Sequence, residues 1–438
     1  MQFEIVQGDE RLSSHSGLAL VGEILKRTSI RERLDAVALP DHRFPEISHG
    51  EVATAMIGVM CLGKPDFDAI EAFREDPFFL QSLCLDSVPS SPTLRQRLDS
   101  ARGAFNDILR EESAGAVSQL ASTITPCHGD LVPVDIDVSP FDNSNTKKEG
   151  VSWTYKHYDG YAPIFAYIGE EGYLINLQLR PGSEHCQKGT REFLSQTLQY
   201  AHMITSAPLL VRMDSGNDSL DNIKVCRKEK SHYIIKRNMR RESPEKWLKI
   251  AKESGELHEP RPGKQVWIGE RHVKRRGVEE PLRIVFHVIE RTIKADGQRL
   301  LIPEVEVETY WTSASEDPER VIELYCAHGT SEQFHSELKT DMDLERLPSG
   351  KFATNEEVLL LGMVAYNILK LIGQESLREP DAPIRKEVSR RRVRSVMQDL
   401  IYVACRLVSH ARGWKLSFGR NCTWFETWRR VYLRFAPT

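Results

Sequence analysis

The spacing of hydrophobic residues changes character along this 438-residue chain. Over the first 125 residues, apolar side chains recur at i, i+3 and i+4, the period of a helix. Ser91 and Pro92 precede a short segment that carries Arg95 and Arg97, which suits either a recognition helix or a plain helical bundle. We therefore predict that residues 1–125 form a helical region, which would be DNA-binding if the segment with the two arginines is a recognition helix, with helices over Leu18–Arg27, Glu51–Leu62, Phe67–Arg74 and Thr93–Ser113.

From Leu131 onward the period becomes that of a strand. Four apolar residues alternate with polar ones between Val132 and Val138, so every second side chain lies on one face. An amphipathic pattern over Thr190–Met203 predicts a helix, and a short apolar run follows it. Residues 126–230 are therefore predicted to be the first part of an α/β core, with further strands at Ser152–His157, Pro163–Ile168, Tyr173–Leu179 and Pro208–Met213.

The remainder alternates between the two patterns. Strand spacing dominates 231–311, which we expect to be a β-rich insertion with strands at His232–Lys236, Gln265–Ile268, Leu282–Ile293 and Leu300–Trp311. After Pro318 the helical period returns, so 312–384 is predicted to complete the core and 385–438 to be a basic helical C-terminal region. The predicted helices are Glu319–Cys326, Ser331–Asp341, Asn355–Gln374 and Val388–His410.

Charge changes this picture only when it is divided by region. The chain has 59 Lys and Arg against 63 Asp and Glu, a formal net charge of −4 that argues against nucleic acid. However, residues 385–438 hold 13 basic and three acidic side chains, and 226–294 hold 19 basic and 10 acidic ones. Two basic blocks on an acidic body favour a polyanionic partner, although basic runs can also be solvated helix faces.

Composition excludes several other classes of protein. The eight cysteines are scattered without a Cys-x-x-Cys pair, which argues against a zinc ribbon or a redox pair. The N-terminus lacks the pattern of a signal peptide, and the longest apolar runs are shorter than the ~20 residues of a membrane helix. We expect a cytoplasmic protein without a membrane partner.

Two aspartates occupy positions where α/β proteins place ligands. Asp137 lies in the strand that begins at Val132, and Asp214 ends the apolar strand before Ser215-Gly216. Functional groups of open α/β sheets concentrate at the carboxyl ends of strands. Asp214 alone could equally be a helix cap or a turn carboxylate.

A polar stripe follows on one predicted helix. Its members are separated by three, four and seven residues, so they share a helix face, and Phe334 and Leu338 indicate that part of the helix packs inward. Such a stripe is usually solvated surface. The stripe consists of Tyr325, His328, Glu332 and Lys339.

These pieces together resemble a known family. Asp-x-Ser at 137–139, Arg-x-Asp-Ser-Gly at 212–216 and Tyr-x2-His-x3-Glu-x6-Lys at 325–339 are similar to the signatures of bacterial insertion-sequence transposases of the Asp-Asp-Glu (DDE) class. The family signature has arginine where this chain has His328. The resemblance covers about residues 131–374 and implies an RNase H-like catalytic core, interrupted by a β-rich insertion, with helical N- and C-terminal regions.

The resemblance also implies a chemistry. Asp137, Asp214 and Glu332 would be the catalytic residues and would hold two Mg²⁺ (or Mn²⁺) ions, with Asp135 and Asp218 as rivals for the first two positions. Two such ions can activate a nucleophile and stabilise the leaving oxygen of a phosphodiester. The expected contacts to DNA are Tyr325, His328, Lys339, Trp311, Arg390, Arg391 and Arg392, although core packing is the alternative for Trp311.

The resemblance implies cut-and-paste transposition of an insertion sequence. Expected partners are double-stranded DNA at the terminal inverted repeats and at the target, with a homodimer in the DNA complex. A metal-dependent nuclease on the same fold, or an inactive or domesticated DNA-binding remnant, are the alternatives. The expected location is the bacterial nucleoid.

Overall fold

The helical period of the N-terminal region produces a group of short helices. The computed structural model describes residues 2–43, 45–384, 388–410 and 413–436. The third helix is buried along its whole length, which explains why its sequence is almost entirely apolar. The elements are strand β1 (Leu12–Ser13) and helices α1 (Leu18–Leu25), α2 (Ile30–Asp35), α3 (His49–Cys61), α4 (Pro77–Ser82), α5 (Ser91–Ala101) and α6 (Asn106–Leu120), with a 3₁₀ helix at Phe67–Phe73.

The prediction of one helix over Thr93–Ser113 is wrong. The chain leaves the helix at Arg102 and Gly103, whose φ values are +49° and +91°. Gly103 adopts this left-handed backbone without a steric penalty, and its amide donates to the buried carboxylate of Glu357 at 2.6 Å. The apolar period resumes in α6, so the break is hidden from a periodicity argument.

The predicted α/β character of the next region is confirmed. The strand at Ser152 is shorter than predicted, because the chain turns at 154–158. The elements are β2 (Val132–Val138), β3 (Phe141–Asp142), β4 (Ser152–Trp153), β5 (Asp159–Tyr161), β6 (Ile164–Ile168), β7 (Tyr173–Gln178), α7 (Thr190–Ile204), β8 (Leu209–Met213), α8 (Leu220–Lys228) and β9 (His232–Lys236).

The region 244–312 contains a helix that we did not predict. This helix, α9 (Pro244–Ser254), begins at a Ser243 side-chain cap and buries Trp247 and Ala251 against the sheet. Its strands are β10 (Glu256–Arg261), β11 (Lys264–Val273), β12 (Leu282–Ile293) and β13 (Arg299–Thr312). Because Tyr310–Thr312 of β13 pair with 234–236 of β9, these strands extend the central sheet.

One large mixed sheet results. In the described residues its nine strands run in the order β10-β11-β12-β13-β9-β8-β2-β6-β7, while β3, β5 and β4 form a small separate sheet. The pairs β2–β8 and β8–β9 are parallel, and the other pairs are antiparallel. Adjacent parallel strands place their carboxyl ends at one edge, and Ile136 is opposite Met213.

From Pro318 to Ile401 the regular elements of the described residues are helices. The helices are α10 (Pro318–Cys326), α11 (Ser331–Ser336), α12 (Phe352–Leu377) and α13 (Val393–Val396). A 3₁₀ turn at Ala327–Thr330 precedes α11, and π-helical turns follow α11 at Glu337–Asp341 and α13 at Met397–Ile401. Helix α12 packs across β7, α3 and α6, and its Asn367 side chain bonds both backbone groups of Leu174 in β7.

The prediction of an entirely helical C-terminal region is wrong. Two antiparallel strands, β14 (Cys405–His410) and β15 (Gly413–Phe418), precede the final helix α14 (Phe425–Phe435). Strand β14 also pairs with β1. The predicted boundary at residue 385 lies outside the described residues. None of the helices in the described ranges has the length and apolar composition of a membrane span.

Candidate active site

Two carboxylates lie at the same edge of the central sheet, at the ends of adjacent strands. Asp137 lies near the end of β2, and Asp214 directly follows β8, the parallel neighbour of β2. Burial raises the pKa of Asp214, and the negative charge of Asp137 raises it further. The Asn217 amide donates to Asp214 Oδ1 at 2.8 Å and thereby fixes this carboxylate. The structure therefore brings together the first two predicted catalytic residues, and their negative charges repel each other.

Asp135 has a different environment, although it lies on the same strand. Arg212 donates to both of its oxygens, at 2.6 and 2.7 Å, and His328 Nδ1 lies 2.8 Å from Oδ1. The Asp135 residue is only 3% exposed. Burial alone would raise the pKa of Asp135, but attraction to Arg212 and His328 holds it at about 2. Because both oxygens already have partners, Asp137 is the better candidate for the first position.

The same contact changes the interpretation of His328. Its imidazole is buried and bound to Asp135, where the family signature has arginine. Burial alone would lower the pKa of His328, but the Asp135 carboxylate raises it. The expected contact of His328 with DNA is therefore not supported, because this ring belongs to the internal Asp135–Arg212 ion pair.

Asp218 and Trp311 bind each other. The Trp311 indole N–H donates to Asp218 Oδ1 at 2.8 Å, and the backbone N–H of Asn238 donates to Asp218 Oδ2 at 3.0 Å. The guanidinium of Arg237 lies 4.6 Å from the centre of the Trp311 ring, which is in a residue only 3% exposed. Core packing, the alternative given for Trp311, fits better than stacking on a base. With these partners, Asp218 is a poorer candidate than Asp214.

A histidine that sequence reasoning missed contacts the first carboxylate. His335 Nε2 lies 3.4 Å from Asp137 Oδ2, and His335 Nδ1 lies 3.1 Å from the Tyr167 hydroxyl. Burial raises the pKa of Tyr167, so its hydroxyl stays protonated and can donate a hydrogen bond to His335 Nδ1. The ring hydrogen of a neutral His335 is then on Nε2 and faces Asp137. Burial would raise the pKa of Asp137, but the contact with His335 lowers it.

Glu332 lies one helical turn before His335. The two residues share a face of α11 because their spacing is i, i+3. Glu332 is exposed, however, whereas His335 is buried. In the ranges that the structure describes, no three His, Cys, Asp or Glu side chains are close enough together to hold a metal ion. Glu332 thus lies one turn from the histidine that contacts Asp137, but its carboxylate is not gathered with those of Asp137 and Asp214.

Tyr325 and Lys339 flank the carboxylate pair. The ring of Tyr325 packs on Tyr310, with ring centres 4.7 Å apart. Burial raises the pKa of Tyr325, and the charges of Asp214 and Asp137 contribute to the rise. Lys339 donates to the carbonyl of Pro140, three residues after Asp137. Burial lowers the pKa of Lys339.

The three predicted arginines of the tail are engaged within the protein. Arg390 pairs with the buried carboxylate of Glu337, and Arg392 pairs with Asp341. Arg391 is buried, pairs with Asp399 and lies 4.6 Å from the Trp424 ring centre. Burial lowers the pKa of Arg391. The contacts of Arg390 and Arg392 tie the tail to the segment that carries Glu332, whereas Arg391 is buried within the tail itself.

A basic cavity lies beside the Asp214 loop. Its volume is about 590 Å³, and Trp311 and Asp218 form part of its wall. Its cationic lining residues come from the basic block at 226–294 and are Arg237, Arg240, Arg241 and Arg275. A concave surface with this charge suits a phosphate-bearing ligand.

The donor set is compatible with divalent metal ions. Asp137 and Asp214 provide oxygen ligands, which Mg²⁺ and Mn²⁺ prefer. Their mutual repulsion is an observation that fits a cation between them, since a positive charge would relieve it.

Comparisons with known proteins identify the family of the chain. A sequence profile described as "Transposase DDE domain group 1" matches residues 3–438. No curated protein sequence matches. Among solved structures, a piggyBac transposase synaptic complex with hairpin DNA is similar over 81% of this chain and 73% of that chain, with 12% identity and a TM-score of 0.40. Because the profile spans nearly the whole chain, the protein belongs to the DDE transposase family.

Proposed function

We propose that this transposase cuts DNA at the terminal inverted repeats of its element and joins the ends to target DNA. The observation that carries the proposal is the pair of half-buried carboxylates, Asp137 and Asp214, at the ends of adjacent parallel strands, where the charge of Asp137 raises the pKa of Asp214. Family membership supports a DNA substrate for this pair. The mobile element would be a bacterial insertion sequence, and the protein would work at the nucleoid.

The catalytic core would have an RNase H-like topology. The strands β7-β6-β2-β8-β9 include three antiparallel-linked strands followed by two parallel additions, and the helix α7 connects β7 to β8. This order supports a five-stranded core in which β2 is central. The insertion predicted at 231–311 would lie between the second aspartate and the glutamate helix and would consist of α9 and β10–β13, while β9 would belong to the core because it pairs in parallel with β8.

Asp137, Asp214 and Glu332 would hold two divalent ions, Mg²⁺ or Mn²⁺. Glu332 lies one helical turn before His335, which contacts Asp137, and this spacing supports the approach of its carboxylate to the pair when DNA is bound. Bound ions would activate water or a 3′-hydroxyl and stabilise the leaving oxygen. Both cleavage and strand transfer would then use one site.

The surrounding residues would hold the DNA in place. Lys339 and Tyr325 flank the carboxylate pair and would contact phosphates next to the scissile bond. The arginines of the cavity, with Arg240 and Arg241 at its wall, would hold the backbone farther along. Two ends must be cut and joined together, so a homodimer on DNA is part of the proposal.

A catalytically inactive DNA-binding remnant is the second candidate function. The observation that favours it is the exposure of Glu332 together with the internal use of His328. Such a remnant would bind the inverted repeat but leave it intact at any concentration of Mg²⁺ or Mn²⁺.

The test uses a labelled duplex that carries the inverted repeat flanking the coding sequence. We expect cleavage at the repeat in Mg²⁺ or Mn²⁺ by the wild-type protein and by Asp221→Asn, an exposed carboxylate of α8 that pairs with Lys224. Asp214→Asn should bind the duplex with unchanged affinity and fail to cut it. Equal cutting by Asp214→Asn would remove the residue from the site and refute the proposed mechanism.

A further inference from the structure

An exposed aromatic turn stands beside the carboxylate pair. We define the aromatic turn as residues 153–158, which connect β4 to β5. Trp153 is 58% exposed and Tyr155 is 59% exposed, although large aromatic side chains usually bury most of their surface. The rings of Trp153 and His157 are neighbours, with centres 6.3 Å apart.

The backbone of the aromatic turn is held in one conformation. Trp153 pairs with Asp159 across the small sheet, and Thr154 bonds the carbonyl of Tyr158 through both its amide and its hydroxyl, at 2.9 and 2.8 Å. His157 takes a left-handed conformation with φ +66° to close the turn. The exposed rings are thus presented by a fixed scaffold.

Two tyrosines attach the aromatic turn to the chain that follows Asp137. The Tyr155 hydroxyl donates to the carbonyl of Val138 at 2.9 Å, and the Tyr158 hydroxyl donates to the carbonyl of Pro140 at 3.1 Å. Although the Tyr155 ring is exposed, desolvation of its bound hydroxyl raises the pKa of Tyr155, with contributions from the charges of Asp137 and Asp214. The turn therefore has a defined position within electrostatic reach of both carboxylates.

The aromatic turn also carries positive charge toward this site. Lys156 is exposed, and its Nζ lies 5.7 Å from the centre of the Tyr155 ring. Lys339 donates to the same Pro140 carbonyl that Tyr158 bonds, and repulsion by Lys156 adds to the burial that lowers the pKa of Lys339. Aromatic faces next to ammonium groups are the combination that binds unpaired nucleotides, since the ring stacks on a base while the cation faces a phosphate.

We infer that the aromatic turn binds the DNA strand at the point of cleavage, where Trp153 stacks on a base that is unpaired or terminal. The inference rests on the proposed function, because it places the DNA next to Asp137 and Asp214. In an intact duplex each base face is covered by its neighbours. A base at a cut end or in a single-stranded overhang has the free face that Trp153 requires.

The test compares three substitutions of one residue. Trp153→Ala removes the ring, Trp153→Leu keeps apolar bulk without a stacking face, and Trp153→Phe keeps a smaller face. The probe is the inverted-repeat duplex with a three-nucleotide overhang at the expected cut, which carries 2-aminopurine at the first unpaired position. Fluorescence quenching reports stacking, and anisotropy reports affinity, both in Ca²⁺ to keep the DNA intact. Thermal unfolding confirms that each variant is folded.

We expect quenching by the wild-type protein and by Trp153→Phe, and its loss in Trp153→Ala and Trp153→Leu. Affinity for the overhang should fall at least about fivefold in the last two variants, with less change for the fully paired duplex. Equal quenching and affinity in Trp153→Ala would overturn the inference. If the wild-type protein quenches the probe through Trp153 but never cuts DNA, the proposed catalysis fails while the inference stands. If Trp153→Ala cuts and binds like wild type, only the inference fails.

Discussion

Replacement of either aspartate of strand β2 by asparagine should have a different effect. Asp135→Asn should lower the stability of the protein, whereas Asp137→Asn should lower DNA cleavage. Asp135 is buried, accepts hydrogen bonds from Arg212 at 2.6 and 2.7 Å and lies 2.8 Å from His328 Nδ1. Asp135→Asn removes the negative charge and leaves Arg212 buried without its counter-ion. Breaking a buried ion pair in this way costs about 3–5 kcal/mol of the free energy of unfolding.

Asp137→Asn should leave stability almost unchanged. This residue lies beside Asp214, whose pKa is raised by burial and then by the charge of Asp137, so the substitution removes a repulsion. We expect a change in the free energy of unfolding within about 1 kcal/mol. Cleavage should fall by more than about 100-fold, because a metal-ligand oxygen contributes several kcal/mol of charge stabilisation.

Urea unfolding followed by circular dichroism measures the first quantity, and cleavage of the labelled inverted-repeat duplex measures the second. Asp221→Asn is the matched control for both, since it changes an exposed carboxylate on α8. The assignment is refuted if Asp135→Asn keeps its stability and loses cleavage while Asp137→Asn unfolds at lower urea. In that case Asp135 would be the catalytic residue.

Three further predictions follow from buried groups around this site and the helical body. The pKa of Asp214 is raised in the folded state, so its ionisation opposes folding at pH values above its unfolded pKa. Asp214→Asn should therefore raise the free energy of unfolding at pH 7 and leave it unchanged at pH 3. Equal changes at both pH values would contradict this prediction. Burial raises the pKa of Glu357 to about 8, so the wild-type protein loses stability as this carboxyl ionises. Glu357→Gln should therefore gain stability relative to wild type as the pH rises from about 4.5 to 8, and gain no more above pH 8. A difference in urea midpoints that does not change with pH would refute this prediction. His335→Ala removes the contact to Asp137 and should weaken both Mn²⁺ binding, measured by calorimetry, and cleavage by about 10–100-fold. Tyr167→Phe, which removes only the hydroxyl next to His335, should have a smaller effect. Unchanged Mn²⁺ affinity in His335→Ala would show that the contact has no positioning role.

The sequence was most informative where one strand or helix determines a residue's position. Asp137 and Asp214 could be placed on strands because strand periodicity is a local pattern, and the structure pairs these two strands in parallel. The contact of His335 with Asp137 could not be predicted, because a histidine three residues after Glu332 has the spacing of an ordinary helix surface. Its only signal is that spacing, which puts it on the face of the glutamate.

Charge patterns were less informative than periodicity. A run of basic residues does not reveal whether its charges meet solvent or carboxylates, and Arg390, Arg391 and Arg392 all form ion pairs within the protein. The β14–β15 strands were missed for a related reason, since basic and aromatic residues mask the alternation in 405–418. Trp311 likewise required the fold, because its partner Asp218 is 93 residues away in the chain.

The most direct test of the central claim is a strand-transfer assay. The wild-type protein is incubated with a pre-cut inverted-repeat end, labelled at its 5′ terminus and carrying a 3′-hydroxyl, together with a supercoiled target plasmid and Mg²⁺ or Mn²⁺. We predict covalent attachment of the label to the plasmid, abolished by EDTA and by Asp137→Asn or Asp214→Asn, and retained by Asp221→Asn. Binding of the end without any joined or cleaved product in either metal would contradict the claim that this chain is an active DDE transposase.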